Sequence, residues 1–235
     1  MRAMILAAGR GERMRPLTDH TPKPLLSVGG KPLIVWHLER LARAGIGRVV
    51  INCAHLGAKI PAVLGNGTAW GLEIAYSQEP PGALETAGGI ARALPLLGAD
   101  PFLVLNGDVF FDAPPALLTD NACFQAFAAS DRMAHLALTQ NPPHHSAGDF
   151  VLVAGEVSNP ATNTATLTFT GIGLYKPALF AGIAPDRPAR LAPLLRAAAD
   201  RGLVSGERYR GRWVDVGTPE RLRELDASLR AIPQT

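Results

Sequence analysis

The sequence predicts an α/β fold: a doubly wound, mostly parallel sheet with antiparallel additions in its second half. Three observations lead there. Through the first 110 residues, short apolar runs alternate with amphipathic helical stretches at the spacing of βαβ units. Beyond residue 134, strand-like runs follow one another without long helices between them. With 235 residues, 47% hydrophobic and 18% charged, the chain can bury a full core within one domain.

Residues 4–8 (MILAA) are continuously apolar, as in a strand covered on both faces, and break at Gly9 into a loop rich in Gly, Arg and Pro. Residues 32–44 (PLIVWHLERLARA) put Leu33, Ile34, His37, Leu38, Leu41 and Ala44 at helical spacing, and Gly45 ends the helix. Strands follow at 48–53 (RVVINC), 72–76 (LEIAY) and 101–105 (PFLVL), separated by helices at 58–64 and 86–94. In the second half, 134–139, 150–153 and 166–175 read as strands added antiparallel at the sheet edge. Helices occupy 191–201 and 219–230, with the short strand 213–216 (WVDV) between them. Thr218 is the expected N-cap of the last helix, with Pro219 at its first position. One domain is expected over 1–235, in two halves, 1–110 and 111–235. No hexapeptide repeat signals a C-terminal β-helix.

Composition narrows the function. The 23 Lys and Arg give a formal net charge of +3 but are scattered, with no basic block and no aromatic interleaving, so nucleic acid is not expected as a partner. The two cysteines, Cys53 and Cys123, lie in apolar surroundings with no Cys-x-x-Cys pattern, so neither a disulfide nor a zinc site is expected. No run approaches the length of a membrane span and no secretory signal is evident, which predicts a cytoplasmic protein with no membrane partner.

Ligands of open parallel sheets gather beyond the carboxyl ends of the strands. Three features fall there: the cationic loop after the first strand, the Asn106-Gly107-Asp108 exit from the PFLVL strand, and Asp215. Cations with closely spaced backbone amides bind phosphate, while Asp oxygens hold Mg²⁺, so the set suits a nucleoside triphosphate with a divalent metal. The loop is neither of two familiar phosphate binders. Met14 stands where a dinucleotide fingerprint needs its third glycine, and the P-loop pattern is absent.

The run 6–18 (LAAGRGERMRPLT), followed by Pro22-Lys23-Pro24, resembles the signature of the sugar-1-phosphate nucleotidyltransferases. The resemblance continues in family order through 84–89 (LETAGG), 106–108 (NGD), 170–175 (TGIGLY) and 213–218 (WVDVGT), and implies a Rossmann-like sheet. Stretches outside that shared core, 141–150 (NPPHHSAGDF), 191–196 (LAPLLR) and 206–213 (GERYRGRW), resemble the branch of the family that serves bacterial cell-wall recycling. They imply uridylyl transfer from UTP to a sugar 1-phosphate, N-acetylmuramate 1-phosphate. A guanylyltransferase or other nucleotidyltransferase acting on mannose, heptose or glucose 1-phosphate, or an idle nucleotide-sugar sensor, stands beside that reading.

The resemblance also implies roles. Arg13 holds the leaving pyrophosphate, Lys23 the α-phosphate or sugar phosphate, and Asp108 and Asp215 the Mg²⁺. Nucleotide contacts fall to Ala7, Ala8, Gly9, Gly11, Gln78, Glu79, Glu85 and Thr86. Acceptor contacts fall to Lys23, Asn106, Asp149, Glu156, Thr170 and Gly171. The chain departs from the wider family at Ser158-Asn159-Pro160, where a Glu-Lys-Pro segment is usual, so another cation must serve the acceptor. His144-His145 reads as a loop facing the acceptor, because an anionic sugar phosphate needs no general base. A monomer or simple homodimer is expected.

Overall fold

A computed structural model describes residues 1–231 apart from 81, 83 and 185. In chain order the elements are β1 (Arg2–Leu6), β2 (Ser27–Val28), β3 (Lys31–Pro32), α1 (Leu33–Arg43), β4 (Arg48–Cys53), α2 (Lys59–Leu64), β5 (Glu73–Gln78), α3 (Glu85–Leu97), β6 (Phe102–Asn106) and β7 (Val109–Phe111). The second half adds α4 (Ala116–Thr119), α5 (Asn121–Ala129), β8 (Ala134–Thr139), β9 (Val151–Val153), β10 (Glu156–Ser158), β11 (Thr168–Tyr175), α6 (Leu191–Asp200), β12 (Val204–Arg208), β13 (Trp213–Asp215) and α7 (Pro219–Arg230).

Nine strands form one sheet in the order β5-β4-β1-β6-β11-β8-β12-β10-β9. The first four are parallel, with Leu6 facing Asn52 on one side and Asn106 on the other. Their side chains alternate between two cores, as strands covered on both faces require. Ala3, Ile5, Val49, Ile51, Leu103 and Leu105 pack with α1, α2 and Phe127 of α5. Met4, Val50, Phe102 and Val104 pack with α3 and α6 on the other face. A third core joins Met14 of the glycine loop to Phe110, Val216, Leu222 and Leu225, so α7 clamps that loop from outside.

The second half is not a simple edge addition. β11 enters the centre of the sheet antiparallel to both β6 and β8, while β12 runs parallel to β8. Only β10 and β9 are antiparallel strands at the edge. The reversal carries Thr168 and Thr170 of β11 to the same end as the carboxyl termini of β1 and β6. A register shift between Phe169 and Gly173 bends the strand there, the placement in which bulges commonly re-aim side chains. Thr218 caps α7 by accepting from the Arg221 N–H.

Candidate active site

Three adjoining cavities open along the carboxyl ends of β1, β4 and β6. One of about 240 Å³ is lined by Ala7, Ala8, Gly9, Lys23, Glu79, Glu85, Thr86, Asn106 and Asp108, and by Asn52. Asn52 is the polar exception at the end of an apolar strand, and the sequence reading passed over it. Its Oδ1 accepts from the Ala7 N–H at 2.7 Å, and its Nδ2 donates to Glu79 Oε1 at 2.7 Å. Glu79 Oε2 accepts from the Leu84 N–H at 3.3 Å. The carboxylate is thus held by two donors before any ligand arrives. Glu85 opens α3 with φ 59, a left-handed conformation uncommon for a side chain of this kind.

The glycine loop is built around Gly11, whose φ of 66 only glycine adopts freely. Its carbonyl accepts from Thr18 Oγ1 at 2.8 Å, and a β-carbon there would come within 2.9 Å of Thr18 Cγ2. Met14 anchors the loop in the third core. The fold of the loop buries Lys23 to 8% exposure and aims its Nζ at Asp108 Oδ2, 2.6 Å away.

Asp108 and Asp215 meet through a two-stranded ribbon. β7 and β13 pair antiparallel with Asp215 opposite Val109, and the Val216 N–H donates to the Asp108 carbonyl at 2.9 Å. Both carboxylates line a cavity of about 400 Å³ together with Arg13, Asn106, His144, His145, Asp149, Thr170 and Trp213. Arg221 Nη1 donates to Asp215 Oδ2 at 2.7 Å and lies 2.9 Å from His144 Nε2. Burial, with the Arg221 charge beside it, holds His144 below the usual imidazole range. Each Asp engages only Oδ2 in its ion pair, and among the described residues neither Oδ1 has a hydrogen-bond partner. Two hard oxygen donors left open, one in the turn between β6 and β7 and one on β13, fit a divalent cation of the Mg²⁺ type.

The third cavity, about 260 Å³, is lined by Glu85, Thr86, Asn106, Asp149, Phe150, Phe169, Arg190, Leu195 and Arg196. Asp149 is fixed by the Phe169 N–H at 2.8 Å and by His145 Nε2 at 3.0 Å. Thr170 is fully buried, and its hydroxyl donates to the Ala137 carbonyl at 2.8 Å. Gly171 lies under Asn106, whose side chain leaves no room for a β-carbon. Four expected residues, Gly11, Gln78, Glu156 and Gly171, do not line the three cavities. Gln78 is exposed, and Glu156 pairs with Arg132 near the far edge of the sheet. Neither Arg190 nor Arg196 has an expected role from sequence: Arg190 is an isolated arginine, and Arg196 closes the 191–196 stretch that carries the resemblance without a role attached to it. Asn159, at the site of the departed lysine, accepts from Arg196 Nη1 at 3.3 Å.

A protein from Neisseria meningitidis named N-acetylmuramate alpha-1-phosphate uridylyltransferase is 54% identical over 97% of both chains. One of the same name from Caulobacter vibrioides is 37% identical over 97% of this chain and 96% of its own. The crystal structure of a Bacillus anthracis protein assigned as a glucose-1-phosphate thymidylyltransferase, solved with sucrose, superposes with a TM-score of 0.83. It is 22% identical and covers 100% of this chain and 97% of its own, a likeness of fold. The nucleotidyl transferase family model matches residues 2–231, and the chain belongs to that family.

Proposed function

We propose that this chain transfers a uridylyl group from UTP to N-acetylmuramate 1-phosphate, giving UDP-N-acetylmuramate and pyrophosphate. The observation that carries the reaction class is the convergence of Arg13, Lys23, Asp108 and Asp215 on adjoining cavities at the carboxyl ends of the parallel strands. The substrate pair draws its support from the two uridylyltransferases that match along their whole length.

In the reaction a phosphate oxygen of the sugar 1-phosphate attacks the α-phosphorus of UTP. As that bond forms, the bond to the bridging oxygen breaks and pyrophosphate leaves with the electron pair. Such chemistry asks a protein chiefly for alignment and charge neutralisation. In this reading Lys23 neutralises the α-phosphate or the incoming sugar phosphate, and Arg13 the departing pyrophosphate. Asp108 and Asp215 would hold Mg²⁺, which supplies Lewis-acid neutralisation of the transferring group. Ala7 to Gly9, Glu79, Glu85 and Thr86 receive the nucleoside. Asn106, Asp149 and the Thr170-Gly171 bend receive the sugar. Arg190 and Arg196, beside the apolar walls of Phe150 and Phe169, answer the lactyl carboxylate of the acceptor and supply the charge missing at 158–160.

The test is pyrophosphate release over a grid of UTP, GTP, CTP, ATP and dTTP against several sugar 1-phosphates, with and without Mg²⁺. The expected result is strong turnover for UTP with N-acetylmuramate 1-phosphate only, abolished by chelation. A maximum in another cell would overturn the substrate pair. No turnover in any cell, with nucleotide still bound, would overturn the enzyme.

A further inference from the structure

On the sheet face covered by α5, three side chains converge that no part of the transfer reaction uses. Cys123 lies on α5, His135 on β8 and Glu207 on β12. Their sulfur, imidazole nitrogen and carboxylate oxygen lie within 4.8 Å of one another. None of the three lines the cleft. All are partly buried, so the group is sheltered yet reachable from solvent.

The surroundings orient each donor. His135 Nδ1 is 2.9 Å from Ser205 Oγ, the residue opposite it in the β8–β12 register. That bond directs Nε2 towards Cys123 Sγ, 3.9 Å away. Glu207 Oε1 accepts from the Leu117 N–H at 3.3 Å, which fixes the carboxylate from the side of α4. A histidine whose second nitrogen is occupied by an oxygen, beside a hydrogen-bonded carboxylate, is the outer arrangement usual around protein-bound metals.

We infer that Cys123, His135 and Glu207 form a zinc-binding site. Zinc bonds of about 2.3 Å to sulfur and about 2.0–2.1 Å to nitrogen, at tetrahedral angles, put ligand atoms roughly 3.5 Å apart. Cys123 Sγ and His135 Nε2, 3.9 Å apart, already stand within about half an ångström of that spacing. On binding, the Cys123 thiol loses its proton to solvent, and a water completes the fourth position. The ion ties α5 to the β8–β12 pair. Sequence spacing could not reveal this set, because its members come from a helix and two non-consecutive strands.

The experiment uses the full chain stripped with chelator, then titrated with Zn²⁺ and, separately, Co²⁺. One equivalent should bind, with a near-ultraviolet thiolate-to-cobalt band and a rise in thermal midpoint. Cys123→Ser should lose the band, and His135→Gln or Glu207→Gln should weaken binding. Ser205→Ala, which removes only the orienting hydroxyl, should weaken it roughly 10- to 100-fold. Retained pyrophosphate release and circular dichroism will establish that each variant is folded. Absence of stoichiometric binding to the native chain, or a cobalt band that survives Cys123→Ser, would overturn the site. A misfolded Cys123→Ser leaves the decision to Ser205→Ala, whose unchanged affinity would also overturn it.

Discussion

Lys23 is the side chain on which the site's charge arrangement turns. A buried ammonium paired at 2.6 Å with a carboxylate that itself faces the cleft is, on the proposed reaction, already oriented where anionic charge would develop. Lys23→Ala is expected to lower kcat by roughly a hundredfold or more, the scale of losing one pre-organised charge. Near-normal kcat in a steady-state assay would remove Lys23 from the mechanism. His37 makes a different prediction, on stability. It is fully enclosed in α1 against the Phe111 ring, and burial first, then the Arg40 charge, lowers its pKa to about 3. The unfolded chain therefore takes up a proton below about pH 6.5 that the folded chain refuses, and stability falls with pH through that window. By pH 5 this costs roughly 2 kcal/mol. In denaturant titrations His37→Leu should flatten the loss between pH 6.5 and 5, and an unchanged slope would refute the assignment. The glycine loop, the Asn-Gly-Asp turn and Asp215 were legible one by one, because their chemistry is concentrated in short motifs. Asn52 was not, since one amide in an apolar strand looks like any edge polar group until Ala7 and Glu79 are seen on either side of it.

At the scale of elements, α3 shows why a helix carries two adjacent glycines. Gly in a helix interior costs about 1 kcal/mol relative to Ala. Here, a β-carbon on Gly88 would meet the Arg187 carbonyl at 2.5 Å, and one on Gly89 would meet Glu79 Oε1 at 2.6 Å. The missing methyls let the chain before α6 hydrogen-bond to the start of α3, through Ala189, and let Glu79 lie against the helix. Gly89→Ala is expected to displace that carboxylate and raise the KM for UTP roughly tenfold, the value of about one oriented hydrogen bond, with kcat little changed. An unaltered KM would show that Glu79 does not meet the nucleotide. Elements with a clear period were legible almost to the residue: the strand 48–53 and the helix 219–230 stand where their patterns predict. α4 and α5 were not foreseen, because Asn121–Ala129 is apolar on several faces and buries only Phe127. Nor were β10 and β12, too short or too polar to alternate.

At the scale of the whole molecule, the sheet order was the least legible feature. Periodicity reports whether a strand is covered, while its neighbours are chosen by contacts distant in sequence, so the insertion of β11 between β6 and β8 left no local trace. The same long-range pairing brings Asp108 and Asp215 together across the β7–β13 ribbon. If the two carboxylates serve one ion, their removal is not additive. Asp108→Ala and Asp215→Ala should each lower kcat by roughly a hundredfold or more, and the double variant should be little worse than either alone. Losses that multiply in the double variant would mean two independent tasks.

The ribbon also sets an order of events during synthesis. The glycine loop, Lys23 and Asp108 all leave the ribosome before the strand that bears Asp215, and α7, which covers Met14 of that loop, leaves after that strand. A nascent chain can therefore begin to shape the cleft well before it owns both carboxylates. On the proposed roles, competence arrives only when β13 and α7 dock, so a half-made chain would have no complete means of consuming triphosphate.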